Sequence, residues 1–198
     1  MYSEENVPHG KAVIVSAPSG AGKTTIVRRL LERDELRLTF SVSATTRQRR
    51  EYEVEGRDYY FFSLVEFDKA IERGDFIEWQ EVYPGQKYGT LRSEVERIWS
   101  IGRNVIFDVD VFGGMNIRKI LGDRAVSLFI RPPDMEALKS RLMNRRSETE
   151  ESMRTRLEKA SLETQYETRF DTIVVNAELE HAVSECYSIV SHFLMGKR

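Results

Sequence analysis

Apolar residues along this chain fall into short runs separated by longer amphipathic stretches. Residues 12–16 (AVIVS) form a continuous apolar run of strand length, and residues 24–32 follow with helical spacing. Similar runs recur at 105–109 (VIFDV), 125–130 (AVSLFI) and 172–175 (TIVV). Between them, residues 134–145 place Met135, Leu138 and Leu142 on one side of a predicted helix. Near the C-terminus Val183, Tyr187, Val190 and Leu194 mark another helical packing face. Apolar strands alternating with helices predict an α/β fold on a mainly parallel sheet flanked by helices.

Two stretches break the rhythm. Residues 38–90 carry Tyr59, Tyr60, Phe61 and Phe62, and later Phe76, Ile77, Glu78 and Trp79, which predict antiparallel strands around a helix at 64–73. Gly74 is placed to end that helix. Residues 145–151 (RRSETEE) are polar and charged between two helical patterns. The first break is expected to be an inserted substrate module and the second a lid.

A chain of 198 residues is long enough for one substantial domain. The formal charge of -2 argues against charge-driven nucleic-acid binding. Cys186 is the single cysteine, so no intrachain disulfide can form. The first residues lack the basic start and apolar core of a signal peptide, and no apolar run approaches bilayer length. The expectation is a cytoplasmic protein, monomer or homodimer, with no membrane or nucleic-acid partner. His9, His181 and His192 match no metal or triad spacing.

Candidate chemistry begins after the first strand, at residues 17–24 (APSGAGKT). This is the phosphate-loop pattern with Ala17 in place of its leading glycine. Gly20 and Gly22 allow the tight turn that aims backbone N–H groups at phosphate oxygens, and the following helix N-terminus adds partial positive charge. Lys23 is expected on the β- and γ-phosphates and Thr24 on Mg²⁺, with Ser19, Ala21 and Thr25 completing an ATP site. A loop of this kind implies a nucleoside triphosphate without naming the reaction.

Further motifs narrow the reading: residues 41–50 (SVSATTRQRR), 56–62 (GRDYYFF), 76–79 (FIEW), 88–90 (YGT), 107–110 (FDVD) and 130–133 (IRPP). In this order, over nearly the whole chain, they resemble the guanylate kinase family. The resemblance implies a phosphate-loop core at 10–38, 91–140 and 157–198, a mixed α/β GMP-binding module at 39–90 and a small helical lid at 141–156. The implied reaction moves the γ-phosphoryl group of ATP, with Mg²⁺, onto GMP and dGMP. Arg47, Arg50, Tyr59 and Tyr88 would hold the GMP phosphate; Ser43, Glu78, Thr90 and Asp108 would surround the guanine. Arg141, Arg145 and Arg156 match family positions in and beside the lid, and Asn176 matches one near the adenine.

These residue types suit such roles. Guanine presents N1–H and an exocyclic amine side by side, and one carboxylate can accept from both. Glu78 fits that role, although by composition alone a strand glutamate is an exposed residue. Arginine forks match a phosphate dianion; otherwise Arg47 and Arg50, with Arg49, form a solvated basic patch or an RNA-contacting stripe. Tyr59 and Tyr88 read equally as core aromatics, and Arg141 and Arg156 as helix-surface partners of neighbouring glutamates. Asp108 and Asp110 end an apolar strand, where doubly wound sheets place ligand groups. Asp110 would contact Mg²⁺ through water or orient an arginine, and Asn176 could instead be a turn residue.

Several positions depart from the family pattern. Arg49 stands where proline is common, and Glu51, Tyr52 and Glu53 replace a Pro/Gly-type turn. The connection from Glu78 to Tyr88 is one residue longer than in many members; Arg146-Ser147 replaces a frequent lid glycine, and Ala177 a frequent acid. Two other classes compete: a non-catalytic binding module of the same fold, and a kinase of a sugar phosphate. The phosphate loop argues against the first, and a base-reading Glu78 against the second.

Overall fold

The computed structural model describes residues 10–143 and 150–196, with side chains from 153 onward in the second stretch. In chain order the elements are β1 (Ala12–Ser16), α1 (Lys23–Leu31), β2 (Leu38–Phe40), β3 (Ala44–Thr45), β4 (Tyr60–Phe61) and α2 (Leu64–Arg73). They continue with β5 (Phe76–Tyr83), β6 (Gln86–Leu91), α3 (Arg92–Ser100), β7 (Asn104–Asp108), α4 (Val111–Leu121) and β8 (Ala125–Arg131). The last are α5 (Met135–Met143), α6 (Glu150–Thr164), β9 (Thr172–Val175) and α7 (Leu179–Met195).

The main sheet has the order β2-β7-β1-β8-β9, and every pairing in it is parallel. All five residues of β1 are buried, as expected of a central strand covered on both faces. Val13 and Val15 pack with α1 and α7, through Ile26, Leu30, Val183 and Val190. Ala12 and Ile14 pack on the opposite face with Val95, Ile98 and Ile117 of α3 and α4. Cys186 lies inside the first of these clusters, and burial pushes its thiol up to about 12. Among the described residues no helix is long and apolar enough to cross a membrane.

The inserted segment folds around a second sheet, β4-β3-β6-β5, in which β6 runs antiparallel to both β3 and β5. Its own small core joins Ala44, Phe67, Ala70 and Phe76. The α2 boundaries follow from local chemistry. Ser63 and Glu66 form a reciprocal capping box at the start, and Gly74 closes the end at φ 73°. Residues 39–40, assigned on sequence to the inserted module, instead continue from Leu38 as an edge strand of the main sheet, with Leu38 in the main core.

Candidate active site

The phosphate loop leaves the carboxyl end of β1 in the centre of the sheet. Ala17, in the position of the pattern's leading glycine, and Ala21 are both buried in the main core, so a methyl group fits there. Gly20 and Gly22 adopt φ of 93° and 95°, a region that side chains disfavour. A Cβ on Gly22 would come within 2.4 Å of the Asn176 amide nitrogen. That amide donates to the Ala21 carbonyl at 2.7 Å, so buried Asn176 braces the loop from behind. Gly22 caps α1 without a side-chain bond, leaving helix N–H groups available to an anion.

Lys23 and Thr24, the first residues of α1, converge on Asp108 at the end of β7. The Lys23 ammonium lies 2.8 Å from Asp108 Oδ1 and donates to the Val109 carbonyl at 2.6 Å. The Thr24 hydroxyl donates to Asp108 Oδ2 at 2.8 Å. A cavity of about 290 Å³ opens over Ser19, Gly20, Gly22, Lys23, Thr24 and Thr25 and is closed by Asp108, Asp110 and Glu163.

A second cavity of about 190 Å³ adjoins it, lined by Ser43, Tyr59, Glu78, Tyr88 and again Lys23, Asp108 and Asp110. The carboxylate at its wall is buried: Glu78 is 8 % exposed. Glu78 Oε1 accepts from Thr90 Oγ1 at 2.9 Å, across the β5–β6 pairing, whereas Oε2 has no partner. Burial pushes this carboxyl up to about 7, opposed by the Thr90 hydrogen bond and reinforced by Asp110. Asp110 caps α4, accepting from Gly113 N at 2.9 Å, and also accepts from the Gln80 amide.

Arg47 lies beside Tyr59, its guanidinium 5.1 Å from the ring centroid, and it forms a fork with Glu53 at 2.7 and 2.9 Å. That hydrogen-bonded pair holds Glu53 at about 2 and raises Arg47 above its ordinary value. Glu53 also accepts from the Arg50 backbone N–H at 2.8 Å. The Arg50 side chain points elsewhere, donating to the Tyr52 hydroxyl at 3.0 Å. Tyr59 and Tyr88 meet edge to face at 6.1 Å.

The guanylate kinase family model matches residues 9–193. The chain belongs to the guanylate kinase family. It is 47% identical over 184 residues to the guanylate kinase of Porphyromonas gingivalis, covering 93% of this chain and 98% of that one. It is 45% identical over 196 residues to that of Chlorobium luteolum, covering 99% and 98%. The crystal structure of guanylate kinase from Anaplasma phagocytophilum superposes with a TM-score of 0.76 at 29% identity, over 96% of this chain and 89% of that one.

Asp108 and Asp110 each line both cavities, but their side chains have different partners. Asp108, expected at the guanine, is drawn onto Lys23 and Thr24; Asp110, expected toward Mg²⁺, sits beside Gln80 at the Glu78 end. The reason is reach: Asp108 ends β7 directly opposite the phosphate loop, whereas Asp110 has turned to cap the next helix. Arg141 reaches the loop's back, donating to the carbonyls of Asn176 at 2.9 Å and Ala21 at 3.5 Å. Arg156 lies on α6, and Arg145 and Arg146 lie outside the described residues.

The structure adds residues that sequence reasoning passed over. Glu53 was visible only as part of a turn departing from the family pattern, yet it orients Arg47. Lys159 and Glu163 line the phosphate cavity from α6. Their signal was the spacing of Arg156, Lys159 and Glu163 at i, i+3 and i+7, which puts them on one helical face.

Proposed function

We propose that this chain transfers the γ-phosphoryl group of ATP to GMP, giving ADP and GDP, with dGMP as a second acceptor. The observation that carries the reading is Glu78: a buried carboxylate with one unpartnered oxygen, in a cavity that shares Lys23, Asp108 and Asp110 with the phosphate loop. A guanine edge supplies the missing donors, while adenine would bring a lone pair against a buried carboxylate. Sites of this kind reject the wrong partner by roughly 10⁴-fold, because the mispaired groups stay buried.

The chemistry asks mainly for alignment and charge neutralisation. The GMP phosphate, held by Arg47, Tyr59 and Tyr88, and by Arg50 once it leaves the Tyr52 hydroxyl, presents an anionic oxygen to the γ-phosphorus. That oxygen forms the new P–O bond as the bond to the ADP leaving oxygen breaks, and ADP departs with the electron pair. No general base is required, since the attacking oxygen carries no proton. Ser43 and Thr90 flank the base, while Ser19 to Thr25 cradle the triphosphate and Asn176 braces that loop from Ala21. Lys23, Arg141, Arg145 and Arg156 supply charge as the donor and acceptor phosphates approach.

Mg²⁺ fits the donor set at the loop. The Thr24 hydroxyl and the Asp108 carboxylate sit 2.8 Å apart and face the phosphate cavity, which suits a small hard cation that keeps waters and takes phosphate oxygens. Bound there, it would offset charge on the β- and γ-phosphate oxygens.

A coupled assay of ADP formation with ATP and Mg²⁺ tests the reading, comparing GMP, dGMP, AMP, UMP, CMP and no acceptor. Strong stimulation by GMP with little by AMP is expected. Folded, ATP-binding protein that no nucleotide stimulates would return the chain to a binding module or a sugar-phosphate kinase.

A further inference from the structure

The donor and acceptor cavities meet at Asp110, and a second lysine stands at that seam. Lys159, on α6, lines the phosphate cavity with Gly20, Gly22, Lys23 and Thr24. Its ammonium is 3.8 Å from Asp110 Oδ2 and 3.7 Å from Glu163 Oε1. Both separations exceed hydrogen-bond length, so among the described residues this ammonium has ion-pair neighbours but has not committed its three donors to them. A ring lies beneath it: Tyr83, at the end of β5, has its centroid 5.2 Å from the Lys159 nitrogen. Tyr83 belongs to the acceptor-binding sheet, at the hairpin between β5 and β6, and it lines the donor cavity.

We propose that Lys159 is a further catalytic residue of phosphoryl transfer, its ammonium contacting the oxygens of the transferring group where the two cavities join, and that Tyr83 positions it from the acceptor module. This deepens the phosphotransfer reading and rests on it. The transferring group must cross this seam, and two phosphates brought together there repel each other, so a cation fixed at the crossing stabilises the transition state more than either separated substrate. A lysine stem has many rotamers. The Tyr83 face and the Glu163 carboxylate restrict them before substrate arrives, so less ordering remains at the reacting moment. Because Tyr83 rides on the hairpin that carries Glu78, Lys159 is best placed when the acceptor module is docked against α6.

The bland alternative is an i,i+4 pair between Lys159 and Glu163 with no catalytic consequence. Lys159→Met, Lys159→Arg, Tyr83→Leu and Tyr83→Phe separate the two in the GMP-dependent assay, with binding of a non-hydrolysable ATP analogue measured alongside. Lys159→Met is expected to lower kcat by roughly tenfold or more while KM for GMP and analogue affinity change by less than about threefold. Lys159→Arg is expected to keep most of kcat. Tyr83→Leu should lose about threefold in kcat, and Tyr83→Phe, which keeps the ring, should match the parent. A Lys159→Met kcat within about twofold of the parent overturns the proposal. So does equal loss in Lys159→Met and Lys159→Arg accompanied by a fall in Tm, which marks a structural lysine. A parent protein that GMP fails to stimulate would instead overturn the phosphotransfer reading itself.

Discussion

Burial that pushes Glu78 up to about 7 opposes the carboxylate form that a guanine edge needs, and the free protein carries the cost. A carboxyl whose folded value lies above its ordinary 4.5 destabilises the fold as pH rises between those two values. Glu78→Gln should therefore stabilise the ligand-free protein by about 3 kcal/mol at pH 8, with the gain vanishing below about pH 5. Urea melts of both proteins across that range read this directly; a Gln variant no more stable at pH 8 would mean the carboxyl ionises without penalty. Glu53 has the opposite sign. Held at about 2 by Arg47, it contributes stability that is present above its ordinary 4.5 and lost as pH falls toward 2. Glu53→Gln removes the fork's charge, so KM for GMP should rise roughly tenfold with a smaller change in kcat. An unchanged KM would show that Arg47 needs no partner to meet a phosphate. Lys23 was legible from the phosphate-loop spacing, whereas Glu78 stood out only through the resemblance to the family, since a strand glutamate by itself reads as exposed. Glu53 and Lys159 were not legible, because what they do depends on which residues the folded chain brings alongside them.

At the scale of elements, β1, β8, β9 and α2 follow directly from apolar period and capping residues. β2 was misgrouped because a three-residue strand is too short to show a period. α6 is mostly polar, and its packing rests on Leu157 and Ala160 against α5, so hydrophobic spacing gave no hint that it walls the site. Helix α4 packs closely against β1. A Cβ on Gly114 would lie 2.3 Å from Ser16 Oγ, whose hydroxyl already donates to the Asp110 carbonyl at 3.0 Å. Gly114→Ala should cost about 1–3 kcal/mol of stability in denaturant titrations. Since Asp110 begins α4, the same change should also depress kcat; loss of stability with native turnover would uncouple that helix from the site.

On the scale of the whole molecule, two sheets with separate cores meet over one pair of cavities, so on the proposed reading each substrate should stabilise the fold. Saturation at about a hundred times Kd adds about 2.7 kcal/mol, worth roughly 5–10 °C in Tm for a chain of this size. ATP with Mg²⁺ and GMP should each raise Tm in the parent, whereas Glu78→Gln should keep the ATP shift and lose the GMP shift. Loss of both would report a damaged fold in place of a lost base reader. Cys186 has a practical bearing on following such events. Sealed in the core with its thiol near 12, it leaves the chain without a reactive sulfur at neutral pH. Maleimide dyes would then attach only where new cysteines are introduced, for instance at exposed Pro84 on the hairpin and Arg154 on α6. Energy transfer between that pair would report, in real time and without removing the native cysteine, how far the acceptor module travels as each nucleotide binds.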